Sequence, residues 1–565
     1  MITGAQILCE CLVHEEVEVI FGLTGGAVVP MYDAFYDYPQ IRRVLVRHEQ
    51  GAAHAAAGYA RVAHRAGVCV STSGPGATNL VTGIADAYMD STPMVVITGQ
   101  VAGSSIGKDT FQECDITGIT LPVIKHNYLV RDVRDLARII KEAFYIAQTG
   151  RPGPVLVDIP RDIQVACAEF SYPVSVNLPG YTPPSGADPT SIERVADLLN
   201  RAERPLIIGG RGVIISRAYD EVRELAETMQ APVVHTLLGL GSFPPQHDLD
   251  LGMFGMHGSG YANRAVQHAD LVLALGTRLG DRATMRTNDF ARNALVVHID
   301  IDPAEIAKNV VPFASLVGDV RTVLAQLNPL VKGRDRLAWR TQVNEWRRDY
   351  PLAVQTAGKR LSAREVIRTI CRSADPDTIL VTGVGQHQMF TAQEYGSPRR
   401  NGLVTSGGLG TMGFELPAAL GAQIAHPEET VWVVAGDGSF QMTMQELATI
   451  AQENLPLKIA VLNNGYHGMV RQLQEVYCDR RYIDVALRAP DFVMLARAYG
   501  IPAERVENAK DIASALERAR TCPGAFLLEF VVEPEENVLP MCIAGASLDE
   551  MIEGREPLAA GPGAS

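Results

Sequence analysis

The stretch TVWVVAGDGSFQMTMQELATIAQENLPLKIAVLNNGYHGMV, residues 430–470, decides the fold of its part of the chain. It contains two apolar runs, one ending in Gly436-Asp437-Gly438 and the other in Asn463-Asn464. Such runs predict neighbouring parallel strands, whose carboxyl ends meet at one edge of a sheet. A carboxylate and an amide there are oxygen donors suited to Mg²⁺, which is usually bound together with phosphate groups. GDG alone is a weak signal, but GDG and NN separated by 24 residues between two buried strands is a strong one.

Strand-like runs alternate with amphipathic helical stretches along the rest of the chain, which predicts an α/β protein with doubly wound parallel sheets. Two composition breaks divide the series: a Pro- and Gly-rich linker at 173–189 and a polar helical stretch at 333–351. We therefore expect three α/β domains, at residues 1–170, 190–330 and 355–540, followed by a C-terminal tail at 541–565. Within the tail, residues 549–552 are expected to be helical.

Composition narrows the class of protein. The chain has 565 residues and a formal net charge of −14, which argues against nucleic acid as a partner. No apolar run approaches the roughly 20 residues needed to span a bilayer, and the N-terminal residues do not resemble a signal peptide. Nine scattered cysteines lack zinc-ligand spacing. We expect a cytoplasmic enzyme with reduced thiols and no membrane or nucleic-acid partner.

Glu49 lies in VLVRHEQGAAHAAAGYARV, where a strand gives way to an Ala-rich helix. One interpretation is a carboxylate favoured in the first turn by the helix dipole. The other is a buried carboxylate that hydrogen-bonds the N1′ atom of an aminopyrimidine and favours its imino tautomer. For Glu49 considered alone, the helix-dipole interpretation is preferred. The metal motif elsewhere in the chain favours the interpretation in which Glu49 binds the aminopyrimidine.

Further Gly-rich segments follow predicted strands at 71–87, 381–389 and 405–422. Their backbone amides suit phosphate groups or a flat ring, although the first segment is equally typical of a tight turn before a helix. The middle domain also has glycines and acids at its strand ends, which suits a dinucleotide at a switch point. It lacks GxGxxG, so a cofactor-free spacer domain stays an alternative.

Over nearly its full length the chain resembles the catalytic subunits of the acetohydroxyacid synthase (acetolactate synthase) family, which use thiamine diphosphate. The resemblance lies in GGAVVPMYDA, RHEQGA, SGPGATNLVTGIADA, TGRPGPVLVDIP, VGQHQM, TSGGLGTMGF, GDGSFQM, NNGYHGMV and EENVLPM. It implies a pyrimidine-binding first domain, a central FAD-type domain and a diphosphate-binding third domain.

The resemblance assigns roles to individual residues. Glu49 is implied to activate the cofactor, and Gln112 and Arg282 to orient the substrate. The implied Mg²⁺ ligands are Asp437, Asn464 and the backbone oxygen of Tyr466. The residues implied to hold thiamine diphosphate are Gly26, Val384, Gly385, Gln386, His387, Gly410, Met412, Gly436, Gly438, Ser439, His467, Gly468 and Met469.

Members with this central domain bind FAD that has no redox role in the reaction. The residues implied to contact it are Arg151, Gly209, Gly210, Gly212, Thr236, Gly276, Thr277, Arg278, Asp300, Ile301, Asp319 and Val320. Gly280 stands where the family usually has Asp, a departure from the family pattern within the FAD-type domain. Arg282 is also open to a second interpretation, a surface ion pair with Asp281 or Asp289.

A substrate channel is implied at Ala102, Arg161, Met256 and Leu473. Three of these depart from the family pattern, because Ala102 replaces Pro, Arg161 replaces Lys and Leu473 replaces Trp. These changes alter the channel where sulfonylurea and imidazolinone inhibitors bind in the family. The Trp is associated with preference for 2-ketobutyrate, so Leu473 predicts weak preference between pyruvate and 2-ketobutyrate.

The implied reaction decarboxylates pyruvate and joins the remaining two-carbon unit to a second 2-keto acid. The products are 2-acetolactate or 2-aceto-2-hydroxybutyrate, in branched-chain amino acid biosynthesis. The resemblance also implies a homodimer or homotetramer with the active site between chains, and a small regulatory subunit. Alternatives are another thiamine diphosphate enzyme, such as pyruvate oxidase or sulfoacetaldehyde acetyltransferase, and a non-catalytic scaffold with the same fold.

Overall fold

The computed structural model describes residues 1–352 and 360–554. Within them the chain forms three six-stranded sheets whose neighbouring strands are all parallel, which confirms the predicted fold class. The start of the third domain that was predicted at residue 355 and the tail beyond residue 554 lie outside the described residues.

The first sheet has the strand order β3-β2-β4-β5-β7-β6. Its central strands are buried along their whole length because helices cover both faces of the sheet. Its strands are β1 Ile2–Thr3, β2 Val19–Leu23, β3 Arg42–Leu45, β4 Gly67–Ser71, β5 Met94–Gln100, β6 His126–Leu129, β7 Pro154–Pro160 and β8 Cys167–Ala168, of which β1 and β8 pair separately. Its helices are α1 Gly4–His14, α2 Val29–Phe35, α3 Glu49–Ala63, α4 Pro75–Asn79, α5 Val81–Met89, α6 Ile116–Thr120, α7 Leu136–Gln148 and α8 Arg161–Val165, with 3₁₀ turns at Gly26–Val28, Gly103–Ser105, Leu121–Val123 and Val133–Asp135.

The second sheet has the order β11-β10-β9-β12-β13-β14. Its strands are β9 Pro205–Gly209, β10 Val233–His235, β11 Asp250–Met253, β12 Leu271–Leu275, β13 Leu295–Asp300 and β14 Ala314–Val317. Its helices are α9 Pro189–Arg201, α10 Arg211–Ile215, α11 Tyr219–Met229, α12 Gly260–His268, α13 Asp281–Thr284, α14 Val320–Leu327 and α15 Leu337–Asp349, with 3₁₀ turns at Leu237–Gly239, Thr287–Asp289, Pro303–Glu305 and Asn328–Leu330. Helix α15 packs on this domain, since Trp339 Nε1 donates to the carbonyl of Pro205 at 3.0 Å.

The third sheet has the order β16-β15-β17-β18-β20-β19. Its strands are β15 Ile379–Thr382, β16 Leu403–Thr405, β17 Val431–Gly436, β18 Lys458–Asn463, β19 Ala503–Val506 and β20 Phe526–Val531, and a separate pair is formed by β21 Met541–Cys542 and β22 Met551–Ile552. Its helices are α16 Ala363–Ser373, α17 Gln386–Glu394, α18 Glu415–Ala425, α19 Asp437–Phe440, α20 Leu447–Gln452, α21 Gly468–Tyr477, α22 Phe492–Ala498 and α23 Ile512–Thr521, with 3₁₀ turns at Met444–Glu446 and Ala509–Asp511.

The first and third domains meet along α3 and α18, which contribute to one continuous hydrophobic core. Glycine makes the close approach of these two helices possible. A Cβ atom on Gly58 would lie 2.0 Å from the carbonyl oxygen of Ala418, and one on Gly421 would lie 1.9 Å from that of Ala55. The small residues of the α3 sequence GAAHAAAG therefore serve a helix–helix contact between domains.

A buried ionic cluster joins all three domains. Arg61 on α3 lies 2.7 Å from Asp90, and both side chains are almost fully buried. Asp90 also accepts hydrogen bonds from the backbone amides of Gly407 at 3.0 Å and Gly408 at 2.6 Å, in the third domain. From the middle domain, Arg211 Nε donates to the Asp90 carbonyl at 3.1 Å. Asp90 of the first domain thus holds the loop at 405–411, and Arg211 of the middle domain contacts the same residue.

The short helix predicted at residues 549–552 is wrong. Met551 and Ile552 form β22, which pairs antiparallel with Met541 and Cys542. An isolated turn of helix is costly to nucleate, and strand pairing satisfies the same backbone groups while Leu548 is buried in the core of the middle domain.

No helix in the two described ranges is both long and apolar enough to cross a bilayer.

The α3–α18 contact gives the first prediction. Gly58→Ala should destabilise the protein by about 1–3 kcal/mol, because a methyl group overpacks the contact although alanine favours helix formation. The measurement is the apparent midpoint of thermal unfolding. Gly524→Ala is the matched control, since a Cβ atom at Gly524 would meet nothing within 4 Å. Equal midpoints for the two variants would contradict the prediction.

Candidate active site

The predicted metal ligands lie at the carboxyl ends of β17 and β18. These two strands are parallel neighbours, with Gly436 opposite Leu462. The backbone amide of Gly465 donates to Asp437 Oδ2 at 3.0 Å, and the amide of Tyr466 donates to Asn464 Oδ1 at 3.0 Å. The Asp437 carboxylate therefore lies against the turn that carries the other two predicted ligands.

The donor set at this edge suits a hard cation. Burial raises the pKa of Asp437 to about 7, so the carboxyl is stabilised as an anion only if a cation compensates for its desolvation. The described residues contain no group of three or more His, Cys, Asp or Glu placed to hold a metal. One carboxylate, one amide and one backbone carbonyl fit Mg²⁺ whose remaining positions are filled by phosphate oxygens and water.

Glycines let two histidines approach this edge closely. A Cβ atom on Gly436 would lie 2.8 Å from His387 Nδ1, and one on Gly438 would lie 2.9 Å from His467 Nδ1. Burial lowers the pKa of His387 to about 3, so its ring is neutral, and its buried Nε2 atom has no hydrogen-bond partner among the described residues. A neutral ring with its proton on Nε2 suits a phosphate oxygen, so the residues present fit a diphosphate group.

Ser439 connects two loops of the third domain. Its Oγ donates to Glu415 Oε2 at 2.9 Å and accepts from the Gly413 amide at 3.0 Å. Glu415 is fully buried, and burial raises its pKa to about 7. A Cβ atom on Gly383 would lie 2.5 Å from both the Glu415 carboxylate and Ser439 Oγ. These contacts fix the turn after Met412 relative to the GDG turn.

Glu49 is the first residue of α3, and His48 caps the helix by accepting the Gln50 amide at Nδ1, 3.1 Å away. Its side chain is buried, and Oε2 accepts a hydrogen bond from Asn79 Nδ2 at 2.9 Å. Asn79 ends α4 in the Gly-rich segment at 71–87 and orients the carboxylate. No sequence motif distinguishes Asn79 within that segment.

One large cavity, of about 1100 Å³, is lined by residues from all three domains. This volume is slightly above the range of about 300–1000 Å³ that is typical of small-molecule and cofactor sites. The predicted third-domain residues in its lining are Val384, Gly385, Gly410, Met412, Met469 and Leu473, and Met256 and Arg282 of the middle domain also line it. The residues predicted to contact FAD form what we call the middle-domain end of the cavity, and those in the lining are Arg151, Gly212, Thr236, Gly276, Thr277, Arg278, Asp300, Ile301, Asp319 and Val320.

The middle-domain end of the cavity has the features of a nucleotide site. Gly212 packs against Gly276 so closely that a Cβ atom would lie 2.6 Å from its Cα, and Gly209 and Gly210 form the tight turn behind it. Asp300 ends β13, and burial raises its pKa to about 6. An acid at a strand end beside a Gly-rich turn is typical of ribose recognition.

Arg151 joins this end of the cavity to the first domain. Its Nε donates to Ser91 Oγ at 2.9 Å, and its Nη1 pairs with Glu305 at 2.6 Å and with Asp302 at 3.2 Å. The guanidinium is therefore fixed in place by protein partners.

Arg282 and Leu473 both line the cavity. The Arg282 side chain is 71% exposed and lies 3.6 Å from Asp281, which matches the surface ion pair considered from the sequence. Asp289, the other candidate partner, pairs with Arg292 at 3.2 Å. Arg282 nonetheless lines the cavity mouth, so its guanidinium is available to a carboxylate there.

Several predicted residues of the first domain lie away from this cavity. Among the described residues, its lining does not include Gly26, Glu49, Ala102, Gln112 or Arg161. Gln112 has φ 59° and packs against Gly74, and the loop after Ala102 is tied to the residue after Arg161 by the Gly103 amide, which donates to Asp162 at 2.9 Å. Within the described part of the chain, the metal edge at Asp437, Asn464 and Tyr466 is likewise not part of this lining.

The sequence analysis missed two groups near these sites. His257 lines the cavity beside Met256, and burial lowers the pKa of its imidazole to about 4. Its Nδ1 atom makes no hydrogen bond within the described part of the chain. Glu446 contacts the turn before Glu49. Neither residue belongs to a motif that distinguishes it, although His257 stands in the Gly-rich segment GMHG.

Comparison with known proteins confirms the resemblance. Residues 2–119, 192–327 and 383–530 match the profiles described as the N-terminal TPP binding domain, the central domain and the C-terminal TPP binding domain of thiamine pyrophosphate enzymes. An acetolactate synthase of Mycobacterium bovis is 48% identical over 98% of this chain and 92% of its own length. Large subunits of acetolactate synthase from Porphyra purpurea and Corynebacterium glutamicum are each 46% identical, over 98% and 96% of this chain and 96% and 89% of their own lengths.

The pKa of Asp437 gives the second prediction. A metal ligand must lose its proton, so Mg²⁺ affinity at saturating thiamine diphosphate should rise as the pH rises through about 7. The folded-state pKa lies above the unfolded value of about 3.9, so protonation stabilises the metal-free protein, and this stabilisation is lost as the pH rises from about 4 to about 7.

Calorimetric titration with Mg²⁺ between about pH 6 and about pH 8 measures the effect. Asp437→Asn should bind Mg²⁺ more weakly and lose the part of the pH dependence that belongs to this carboxyl. Asp281→Asn, at an exposed acid, should keep the wild-type profile. The same profile in Asp437→Asn and wild type would contradict the prediction.

Proposed function

This chain belongs to the thiamine pyrophosphate enzyme family, and we propose that it is an acetolactate synthase that converts two molecules of pyruvate into 2-acetolactate and CO₂. The observation that carries the proposal is the edge formed by Asp437, Asn464 and Tyr466 in a chain that also keeps Glu49. The sequence similarity to acetolactate synthases over nearly the whole chain supports the choice of reaction.

Bound thiamine diphosphate supplies a carbon nucleophile and an electron sink for the loss of CO₂ from a 2-keto acid. We assign Mg²⁺ to Asp437, Asn464 and the carbonyl oxygen of Tyr466. The diphosphate is assigned to residues 384–387, the GDG turn with Ser439, and residues 467–469. His387 Nε2 is the donor that the protein itself leaves without a partner.

Glu49 holds a proton beside the pyrimidine ring nitrogen of the cofactor in this proposal. Its hydrogen bond with Asn79 fixes the carboxylate in one orientation, and its burial excludes water that would compete for the proton. Gly410 and Met412, which line the cavity, are assigned to the pyrimidine, and Gly26 is assigned to its other side.

The acceptor 2-keto acid is assigned to the mouth of the cavity. Arg282 presents a cation to its carboxylate there, and Met256 and Leu473 contact its alkyl group. Gln112, Ala102 and Arg161 belong to the same channel only if they come from a second chain. Leu473 offers a small apolar surface, so we infer little discrimination between pyruvate and 2-ketobutyrate.

The middle-domain end of the cavity is assigned to FAD. The tight turn at residues 209–212, the acid Asp300 and a cavity of about 1100 Å³ fit a dinucleotide. We assign the flavin a structural role, with Thr236, Gly276, Thr277, Arg278, Ile301, Asp319 and Val320 around it and Arg151 closing the site toward the first domain.

We infer that the active unit contains at least two chains. Glu49 begins a helix of the first domain and the metal edge belongs to the third, and in the family that this chain resembles the active site forms between these two domains of different chains. A second copy that supplies Glu49 would complete the site. A homodimer or homotetramer, a small regulatory subunit, a cytoplasmic location and a place in branched-chain amino acid biosynthesis belong to the same proposal.

Product analysis tests the proposed reaction. With thiamine diphosphate, Mg²⁺ and FAD present, pyruvate alone should yield 2-acetolactate and CO₂ in equal amounts.

Glu49→Gln keeps the shape of the side chain but removes the acid, and it should reduce kcat by at least about 100-fold, in the range lost when a positioned acid–base group is removed. Reduction of bound flavin by pyruvate would indicate an oxidase instead, and unchanged turnover in Glu49→Gln would contradict the role of this residue.

Leu473 gives a prediction on acceptor choice. In a competition between pyruvate and 2-ketobutyrate, the wild type should show only weak preference. Leu473→Trp should raise the preference for 2-ketobutyrate by about tenfold or more, because an indole packs against the additional methyl group and one methylene is worth about 1–3 kcal/mol. Val470→Ile, in the same helix and at the same cavity, is the control. Strong 2-ketobutyrate preference in the wild type would contradict the account.

A further inference from the structure

Glu446 is a fully buried carboxylate of the third domain that contacts the backbone just before Glu49. It ends the 3₁₀ turn Met444–Glu446, immediately before α20. Its Oε1 accepts hydrogen bonds from the amides of Arg47 at 3.0 Å and His48 at 3.1 Å, and its Oε2 accepts from Thr449 Oγ1 at 2.6 Å. Nearly 400 residues of sequence separate the two partners.

The surrounding sequence leaves room for this carboxylate. Gly51, in the first turn of α3, has no side chain, and a Cβ atom there would lie 2.5 Å from Glu446 Oε1. Glu446 therefore lies at the amino end of α3, where a negative charge is favoured by the helix dipole. It also accepts hydrogen bonds from the amides of two partly buried residues, Arg47 and His48.

The contact is part of a wider attachment between α20 and the β3–α3 turn. Arg47 Nη2 donates to Gln452 at 2.7 Å, and Arg42 pairs with Glu453 at 2.8 Å. Both of these are exposed side-chain contacts, which contribute little free energy. Glu446 is the buried member of the set and the one that binds the backbone.

We propose that Glu446 is a positioning residue for Glu49, because it fixes the turn at residues 47–48 from which Glu49 projects. The carboxylate of Glu49 has two restraints: Asn79 orients its side chain, and Glu446 fixes its backbone. This inference rests on the proposed role of Glu49 in the reaction. Glu446 hydrogen-bonds the backbone amides of Arg47 and His48. It affects turnover only because these hydrogen bonds determine the position of Glu49.

A double-mutant cycle separates positioning from general stabilisation. Glu446→Ala should lower kcat by about 10- to 100-fold, the order expected for misplacing a reacting group by about 1 Å, while KM for pyruvate and affinity for thiamine diphosphate change by less than about threefold. In a Glu49→Gln background the Glu446→Ala change should lower kcat by less than about twofold, because Glu446 affects turnover only by positioning the Glu49 carboxylate. Glu446→Gln keeps an acceptor oxygen and should recover most of the activity.

Gly51→Ala keeps the carboxylate but displaces it, and it covers the case in which Glu446→Ala fails to fold. Alanine favours helix formation, so loss of kcat without loss of thermal stability in this variant supports positioning. Glu453→Gln removes a carboxylate that pairs with Arg42, at the start of β3, and it should behave as wild type.

Hydrogen–deuterium exchange gives a readout that does not depend on turnover. The amides of Arg47 and His48 should exchange at least about tenfold faster in Glu446→Ala, whatever reaction the enzyme catalyses. Absence of acetolactate from the wild type would refute the proposed function alone. The positioning role is overturned if exchange is unchanged, if kcat matches that of Glu453→Gln, or if the losses of Glu446→Ala and Glu49→Gln multiply.

Discussion

The contact between α3 and α18 is the constraint on which the rest of the structure depends. Glycines at residues 58 and 421 bring the two helix backbones together, so the first and third domains share one core. With the axis of α3 fixed in this way, its first residue, Glu49, has a fixed place relative to the third domain. A larger side chain in the contact would separate the helices and move both ends of α3.

Buried polar contacts hold both ends of α3 against the rest of the molecule. At the amino end, Glu446 binds the turn before Glu49. Toward the carboxyl end, Arg61 pairs with Asp90, which in turn holds the amides of Gly407 and Gly408. Glu446, Arg61 and Asp90 are buried charged side chains. Removing the partner of any one of them therefore leaves a buried charge without compensation. The cavity that spans the three domains lies beside this cluster, because Asp90, Arg211 and Gly408 also line it.

The sequence predicted the fold class and the composition of the metal edge because both depend on local patterns. Asp437 and Asn464 follow apolar runs that form neighbouring strands, and strand neighbours in a parallel sheet bring their carboxyl ends together. Glu446, Asp90 and Asn79 carry no such pattern, because each owes its role to a partner far along the chain. The helix predicted at residues 549–552 rests on four residues, and pairing of Met551 and Ile552 with β21 overrides it. The resemblance puts Ala102 and Arg161 in one channel with Leu473, yet among the described residues of a single chain they are not part of the cavity lining that includes Leu473.

Division of the site between two domains is the central claim of this account, with the metal edge on the third domain and Glu49 on the first. A crystal structure of the protein with thiamine diphosphate and Mg²⁺ tests it most directly. The account predicts Mg²⁺ bound by Asp437, Asn464 and the carbonyl oxygen of Tyr466, with the pyrimidine ring hydrogen-bonded to Glu49 of the partner subunit. Mg²⁺ at other residues, or a pyrimidine ring bound by Glu49 of the same chain, would contradict it.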